Sequence, residues 1–161
     1  MSRPGRSSCL FGLGVGVALL LAVAAPAAAD SDPNEEKPYS ITPDGVVDWY
    51  TFSGFRRYHA DCHVCHGPDG LGSSAGPALV ESMKVLSYED YLDVVVNGRG
   101  DVSAATKDKM PAFGEDMNVM CFIDDIYAYL KARSDGVLGK GRPKKERKPQ
   151  SAKERDNECM G

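Results

Sequence analysis

The chain has little histidine, little cysteine and no apolar segment long enough to cross a membrane easily. Of its 161 residues, three are histidine and five are cysteine, and the histidines all fall within residues 59–66. A structural zinc site needs four nitrogen or sulfur ligands, and only single, distant cysteines lie outside that segment. The apolar run 10–25 contains three glycines and is shorter than the roughly 20 residues that span a bilayer. Zinc binding and stable membrane insertion are therefore not expected.

The first 29 residues have the pattern of an export signal. Arg3 and Arg6 precede the apolar run, and Ala27-Ala28-Ala29 follows it as an A-x-A cleavage site. This order is typical of a secretory signal peptide. We expect residues 1–29 to be removed and the mature protein to be soluble in a bacterial periplasm. The alternative is an uncleaved N-terminal anchor.

Charge is unevenly distributed along the mature chain. Residues 30–130 contain 7 basic and 18 acidic residues, a net charge of −11, whereas residues 131–161 contain 10 basic and 5 acidic residues, a net charge of +5. An acidic body is a poor partner for nucleic acid. It would suit a docking partner with a basic face, although simple solubility explains it equally well.

A five-residue motif carries the chemistry of the chain. Residues 62–66 are Cys62-His63-Val64-Cys65-His66, a C-x-x-C-H arrangement. Two cysteines on one side of a helical turn can each form a thioether to a vinyl group of one porphyrin edge, and the following histidine can bind the iron. A thioredoxin-like dithiol would need a βαβ context, which the sequence does not show. The motif predicts one covalent haem c attached to Cys62 and Cys65, with His66 as an axial ligand.

Met110 is the best candidate for the second axial ligand. The other two histidines are on the same segment as His66 and cannot easily reach the opposite haem face. Met110 lies on a predicted loop, 44 residues beyond His66, and is followed by Pro111, which stiffens the backbone. Methionine is a common ligand in electron-transfer cytochromes. The remaining candidates of the mature chain are Met83, Met117, Met120 and Met160. The first three are in or beside predicted helices, where packing is the simpler role.

Periodicity predicts an all-α protein with three main helices. We expect an irregular lead-in over 30–45, and helices over about 46–61, 87–97 and 118–133. Between the first two, residues 67–79 form a loop rich in glycine and proline. Residues 135–161 have no apolar period and are expected to form an exposed basic tail.

One glycine inside the first helix needs an explanation. Gly54, Tyr58 and Cys62 are spaced by four residues, so they lie on one helix face. A glycine inside a helix costs about 1 kcal/mol. A second helix that crosses closely at Gly54 would explain it.

Together these features resemble a class I c-type cytochrome over about residues 46–134. The matching motifs are Gly54-x3-Tyr58-x3-Cys62, the C-x-x-C-H motif, Gly76-Pro77-x-Leu79, Met110-Pro111-x-Phe113 and the aromatic final helix. More narrowly, the chain resembles the four-cysteine cytochromes associated with methanol metabolism in methylotrophic bacteria. That likeness lies in Val47–Tyr50, Arg56–His59, the later cysteines and the terminal Cys159-Met160-Gly161.

The resemblance implies specific contacts. Three helices would pack around a haem with one edge near solvent, and Gly54 would meet the final helix near Tyr129. The carbonyl of Pro77 would accept a hydrogen bond from the Nδ1–H of His66, which fixes the ring and raises its basicity.

Cys121 and Cys159 are the cysteines left over in the mature chain. In an oxidising compartment such a pair favours a disulfide, which would hold the basic tail to the last helix. Two free thiols or an intermolecular bridge are the alternatives.

With His66 and Met110 both bound, the iron has no open position. The chain is then expected to be a monomeric one-electron carrier and not an enzyme. The resemblance implies redox-protein partners: an alcohol or methanol dehydrogenase pathway upstream, and a cytochrome or oxidase downstream. The alternative is a haem enzyme or gas sensor in which Met110 is absent from the iron or labile.

Overall fold

The computed structural model describes residues 36–100 and 109–161. The predicted signal peptide, residues 1–29, lies outside the described residues. The helices are α1 (Trp49–Arg57), α2 (His63–His66), α3 (Leu79–Ser82), α4 (Tyr88–Asn97), α5 (Met117–Met120), α6 (Ile123–Ser134) and α7 (Gln150–Met160). Two short strands, β1 (Val46–Val47) and β2 (Lys144–Lys145), form a parallel pair. The all-α prediction is confirmed.

The closest helix crossing lies between α1 and α6, at Gly54. A Cβ atom on Gly54 would overlap the carbonyl group of Asp125 and lie 2.9 Å from the Cβ of Tyr129. Gly54 therefore allows the two helix backbones to touch, which is the close crossing expected from a glycine inside a helix. Phe52 and Leu130, each 2% exposed, bury apolar surface in the core beside this crossing.

The first helix begins later than predicted and changes form before it ends. Val46 and Val47 are in β1, and the side chain of Asp48 accepts a hydrogen bond from the backbone N–H of Thr51 at 2.9 Å. Because that carboxylate caps the first turn, α1 begins at Trp49. After Arg57 the chain continues as a π-helical turn over Tyr58–Cys62 and only then as α2.

The second predicted helix is confirmed as α4. The Ser87 side chain caps it by accepting from the backbone N–H of Asp90 at 3.0 Å, and Gly98 ends it with a φ of 74°. Tyr91 and Val95 are its buried residues. The preceding loop is less irregular than predicted, because it contains a 3-10 turn at Pro68–Gly70 and the short helix α3.

The predicted last helix, 118–133, is two helices. Asp116 caps α5 by accepting from the backbone N–H of Asn118 at 2.9 Å. The chain then leaves helical geometry at Phe122, whose φ and ψ are −132° and 19°. Phe122 is 2% exposed, and the guanidinium of Arg57 lies 3.7 Å from its ring centroid. The break thus coincides with the burial of one large aromatic side chain.

The segment 135–161 is more ordered than the exposed tail predicted from its lack of an apolar period. It forms β2 and α7, and it buries Leu138 and Ala152 at 7% and 0% exposure. The guanidinium of Arg155 donates two hydrogen bonds of 2.7 Å to the buried carboxylate of Asp125. The Arg155–Asp125 pair and the burial of Leu138 and Ala152 hold this segment to the body, although its sequence has no apolar period.

The structure also contains a Cys121–Cys159 disulfide, with Cα atoms 5.9 Å apart. Cys121 lies directly after α5, and Cys159 lies in the last turn of α7. The bridge therefore joins the end of the chain to the region of the α5–α6 break.

The described part of the lead-in, residues 36–45, contains no helix, as predicted. Its Ile41 makes an antiparallel bridge with Val47. Among the described residues there is no helix long and apolar enough to cross a membrane.

Replacing Gly54 by alanine should lower the free energy of unfolding. Overpacking costs about 1–3 kcal/mol, and here the new methyl group meets backbone that cannot rotate away. Gly139→Ala is the matched control, because nothing lies within 4 Å of a Cβ at that position. Denaturant unfolding of the haem-loaded protein measures both. Equal stability of the two variants would show that the helices can separate without cost.

Opening the disulfide should destabilise the protein without loss of haem. On the chain-entropy model, a bridge over this separation of 38 residues contributes at most about 4 kcal/mol. A thiol reductant breaks the disulfide but leaves thioethers intact, so it separates the two kinds of sulfur bond. Unfolding with and without reductant, beside a Cys121→Ser/Cys159→Ser variant, measures the effect. If reductant lowers the stability of that variant as much as that of the natural chain, the bridge is not the cause.

Candidate functional site

An apolar cavity of about 760 Å³ lies beside α2, with the C-x-x-C-H motif in its wall. Cys62, Cys65 and His66 all line it, and Met110 lies in the same wall. The apolar lining includes Leu79, Met83, Leu86, Val95, Ile126 and Leu130. The structure thus brings together all four residues that the sequence assigned to haem attachment and iron binding.

The π-helical turn sets the direction of the motif. The backbone N–H of His63 donates to the carbonyl of Tyr58, one residue further back than in an α-helix. One additional residue rotates the following chain by about 100°. The turn therefore decides which side of α2 meets the cavity, and π-helical turns often occur at functional sites.

The two cysteines of the motif suit covalent attachment. Cys62 and Cys65 are free of disulfides, and both line the cavity. Burial, with smaller contributions from the nearby Asp61 and Cys65, raises the pKa of the Cys62 thiol to about 12. Cys62 is therefore a protonated thiol at neutral pH. These residues fit a haem held by two thioethers.

His66 is held in one orientation. Its Nδ1 lies 3.0 Å from the carbonyl oxygen of Pro77, the contact that the resemblance implies, and the oxygen can only accept. The Nδ1–H must therefore donate, which leaves Nε2 free to bind a metal. Gly76 lies against the same ring, since a Cβ there would fall 3.1 Å from His66 Nδ1.

Met110 is held by its backbone. Its N–H donates to the carbonyl of Arg99, and the N–H of Arg99 donates to the carbonyl of Met110, each at 2.9 Å. Gly98 is needed for this approach, because a Cβ there would lie 2.6 Å from the Met110 carbonyl oxygen. The bridge fixes the backbone of Met110, and Pro111 stiffens the next step.

Among the other methionines, Met83 is the only described one that also lines the cavity. It is 1% exposed and belongs to the packed core. Met117 and Met160 are 53% and 42% exposed. Packing therefore accounts for Met83, and exposure separates Met117 and Met160 from the site.

A buried polar network behind His66 was not predicted. The hydroxyl of Tyr58 donates to the carbonyl of Gly67 at 2.6 Å. Asp69, 9% exposed, accepts at Oδ1 from the Tyr129 hydroxyl at 3.3 Å and from the backbone N–H of Gly141 at 3.0 Å. The network fixes the loop that follows His66. The turn signal Pro68-Asp69-Gly70 was visible in the sequence, but its distant partners were not.

Asp69 has a left-handed backbone conformation, with a φ of 58°. Its carbonyl accepts from Nε of Arg133 at 3.2 Å, and Arg133 also donates to the carbonyl of Leu138. Aspartate tolerates this conformation better than most residues. The buried guanidinium thus joins the loop after His66 to the start of the tail.

Residues 52–130 match the protein family described as cytochrome c oxidase, cbb3-type, subunit III. The chain is 51% identical over 123 residues to cytochrome c-553I of Paracoccus denitrificans, a match that covers 76% of this chain and 54% of that protein. It therefore spans about half the length of that relative. It is also 41% identical over 96 residues to cytochrome c-555 of Methylococcus capsulatus, covering 59% of this chain and 72% of the relative.

A solved structure agrees. The chain matches the c-type cytochrome XoxG from Methylobacterium extorquens AM1 with a TM-score of 0.64 and 45% identity, covering 78% of this chain and 83% of that one. The fold, the motif in the cavity wall and these relatives lead to one conclusion. The chain belongs to the class I c-type cytochromes and carries a covalently bound haem c.

Proposed function

We propose that this cytochrome is a periplasmic one-electron carrier whose haem iron is bound by His66 and Met110. The observation that carries the proposal is that both residues, each held by its own backbone contacts, lie in the wall of one apolar cavity. The haem, when bound, takes up and releases a single electron. We place it between an alcohol or methanol dehydrogenase pathway and a downstream cytochrome or oxidase.

Several residues at the site would each have a separate role in holding the haem and its iron. Cys62 and Cys65 hold the porphyrin edge, and the Pro77 carbonyl keeps the His66 ring aligned. The backbone bridge to Arg99 holds Met110. Because each ligand is held before an electron arrives, little movement is needed when the charge on the iron changes. An apolar lining excludes water and keeps that cost low.

With His66 and Met110 both bound to the iron, no position would remain for a substrate, so we propose that the protein is not an enzyme. The alternative is a haem enzyme or gas sensor, which requires Met110 to leave the iron. The neighbouring histidines do not supply a distal group, since His59 and His63 precede His66 on the same segment.

The port for electrons is proposed to lie where the motif meets solvent. Val64, between the two attachment cysteines, is 71% exposed, and Cys62 and Cys65 are partly exposed. An apolar side chain at this position lets a partner approach the attachment edge closely. Transient redox complexes often bury less than about 1,200 Å², so a small surface is sufficient.

Export and domain organisation complete the proposal. The sequence of residues 1–29 supports removal of a signal peptide, and the Cys121–Cys159 bridge suits an oxidising compartment. We assign residues 30–45 to the lead-in, 46–134 to the cytochrome domain and 135–161 to an appended basic tail.

The methanol pathway is supported by the likeness to four-cysteine cytochromes of methylotrophs and by relatives of this chain in Methylococcus and Methylobacterium.

Met110→Ala should leave one binding position of the haem iron without a protein ligand. We expect the ferric protein to lose its sulfur-to-iron charge-transfer band and the ferrous protein to bind carbon monoxide, because alanine cannot act as a ligand. Absorption spectra of both oxidation states, with and without carbon monoxide, measure this. Met83→Leu is the matched control: it also changes a cavity methionine and should leave the band in place.

The opposite result identifies a different ligand. If Met83→Leu removes the band and Met110→Ala keeps it, Met83 is the ligand. If the natural protein already binds carbon monoxide, the enzyme or sensor alternative replaces the carrier.

A further inference from the structure

The folded tail presents a surface of exposed cations, which we call the tail face. It consists of Lys140, Arg142, Lys144, Lys145, Arg147 and Lys153, all of them exposed. We propose that the tail face docks an acidic surface patch of a redox partner protein, at a site apart from the haem cavity. The proposal rests on the carrier function and adds to it where, and by what chemistry, one partner is held.

The backbone that carries these cations is held in place before any partner arrives. Strand β2 pairs with β1 in the register Val46↔Lys144 and Val47↔Lys145, and the N–H of Glu146 donates to the carbonyl of Val47 at 2.9 Å. On the other side of the tail, the Arg155–Asp125 pair and the disulfide hold α7. Binding therefore needs little ordering of this backbone, which preserves affinity.

The charge of the tail face is not neutralised from within. In the described part of the chain, none of its six cations forms a salt bridge, whereas Lys148 pairs with Asp156 and Arg155 with Asp125. Residues 140–148 contain six basic residues and one acidic residue, Glu146, a net charge of +5. This charge is available to an external anion.

Two of these cations lie over aromatic rings, which do not neutralise their charge. The Nζ of Lys145 lies 4.8 Å from the centroid of the Trp49 ring, and the guanidinium of Arg142 lies 5.0 Å from that of Phe52. These contacts fix the side chains on α1 while keeping their charge. The tail face is thus built on the helix that leads into the haem motif.

The tail face does not share the cavity. None of the residues 135–161 contributes to the cavity lining. The tail face is therefore a surface separate from the residues that line the cavity.

Charge complementarity favours a protein with a local acidic patch. Residues 30–130 of the mature chain have a net charge of −11, so an acidic partner is attracted more strongly to the tail face than to the rest of the chain. That contrast orients the encounter. A lipid surface and a second copy of the chain are the other occupants that the experiment distinguishes.

The test compares two triple charge reversals in the haem-loaded protein. Lys140→Glu/Lys144→Glu/Arg147→Glu alters the tail face, and Lys37→Glu/Arg56→Glu/Lys84→Glu makes the same change in net charge elsewhere. Stopped-flow spectroscopy follows reduction by the dehydrogenase and oxidation by the acceptor, each purified from the source cells by its activity with the natural cytochrome. At low ionic strength, one of these steps should slow about tenfold or more in the tail variant, and high salt should remove the difference. The control should stay within about twofold of the natural protein.

Other results overturn the proposal. The proposal fails if the rates of reduction and oxidation are unchanged in the tail variant. It also fails if the control variant is slowed as much as the tail variant. Phosphatidylglycerol vesicles could bind the natural chain but not the tail variant, with partner kinetics unchanged, which would assign the tail face to a lipid surface. A dimer present at low salt and lost in the tail variant would assign it to a second copy.

A separate measurement distinguishes failure of the docking proposal from failure of the carrier proposal. A small neutral reductant should reduce all three proteins at the same rate, with unchanged low-spin spectra. If that holds and the partner rates do not differ, the tail-face proposal fails and the carrier stands. If no dehydrogenase or acceptor activity with the natural protein can be recovered from the source cells, the carrier proposal fails, and the docking proposal with it.

Discussion

The contact between α1 and α6 at Gly54 is the constraint on which the rest of the structure depends. Because no side chain separates the helices there, α1 is fixed against α6, and the π-helical turn that follows starts from a fixed position. That turn aims Cys62 and His66 at the cavity. On the other side of the crossing, the Asp125 carboxylate binds Arg155 and so anchors α7. One pair of touching backbones therefore positions both the haem site and the tail.

The loop after His66 and the tail are connected through buried polar groups and not only through packing. Asp69 accepts from the backbone of Gly141, and Arg133 donates to the carbonyls of Asp69 and Leu138. Leaving any of these buried groups without a partner would cost about 1–3 kcal/mol. The tail is thus part of the scaffold that holds the loop behind His66, while its cations face outward. This arrangement lets one segment serve both stability and recognition.

Where the prediction of an element failed, specific contacts had replaced the periodic pattern. The final helix is interrupted at Phe122, whose burial beneath Arg57 outweighs the helical continuity that the sequence favours. The tail lacks an apolar stripe and still folds, because a disulfide, a buried ion pair and two buried apolar residues hold it. The first helix starts at Trp49 because the Asp48 cap is stronger than the preference for a longer helix.

The sequence by itself determined the local chemistry: the C-x-x-C-H motif, the cap at Ser87 and the need for a close crossing at Gly54. Each of these depends on neighbours within a few residues or on the absence of a side chain, so the order of residues is sufficient. Only the tertiary structure decided that Asp69 joins the loop after His66 to the tail, that the tail folds as β2 and α7, and that its six cations remain exposed. Those outcomes depend on contacts between residues about 30 to 100 positions apart, and no local pattern specifies which of the possible partners will meet.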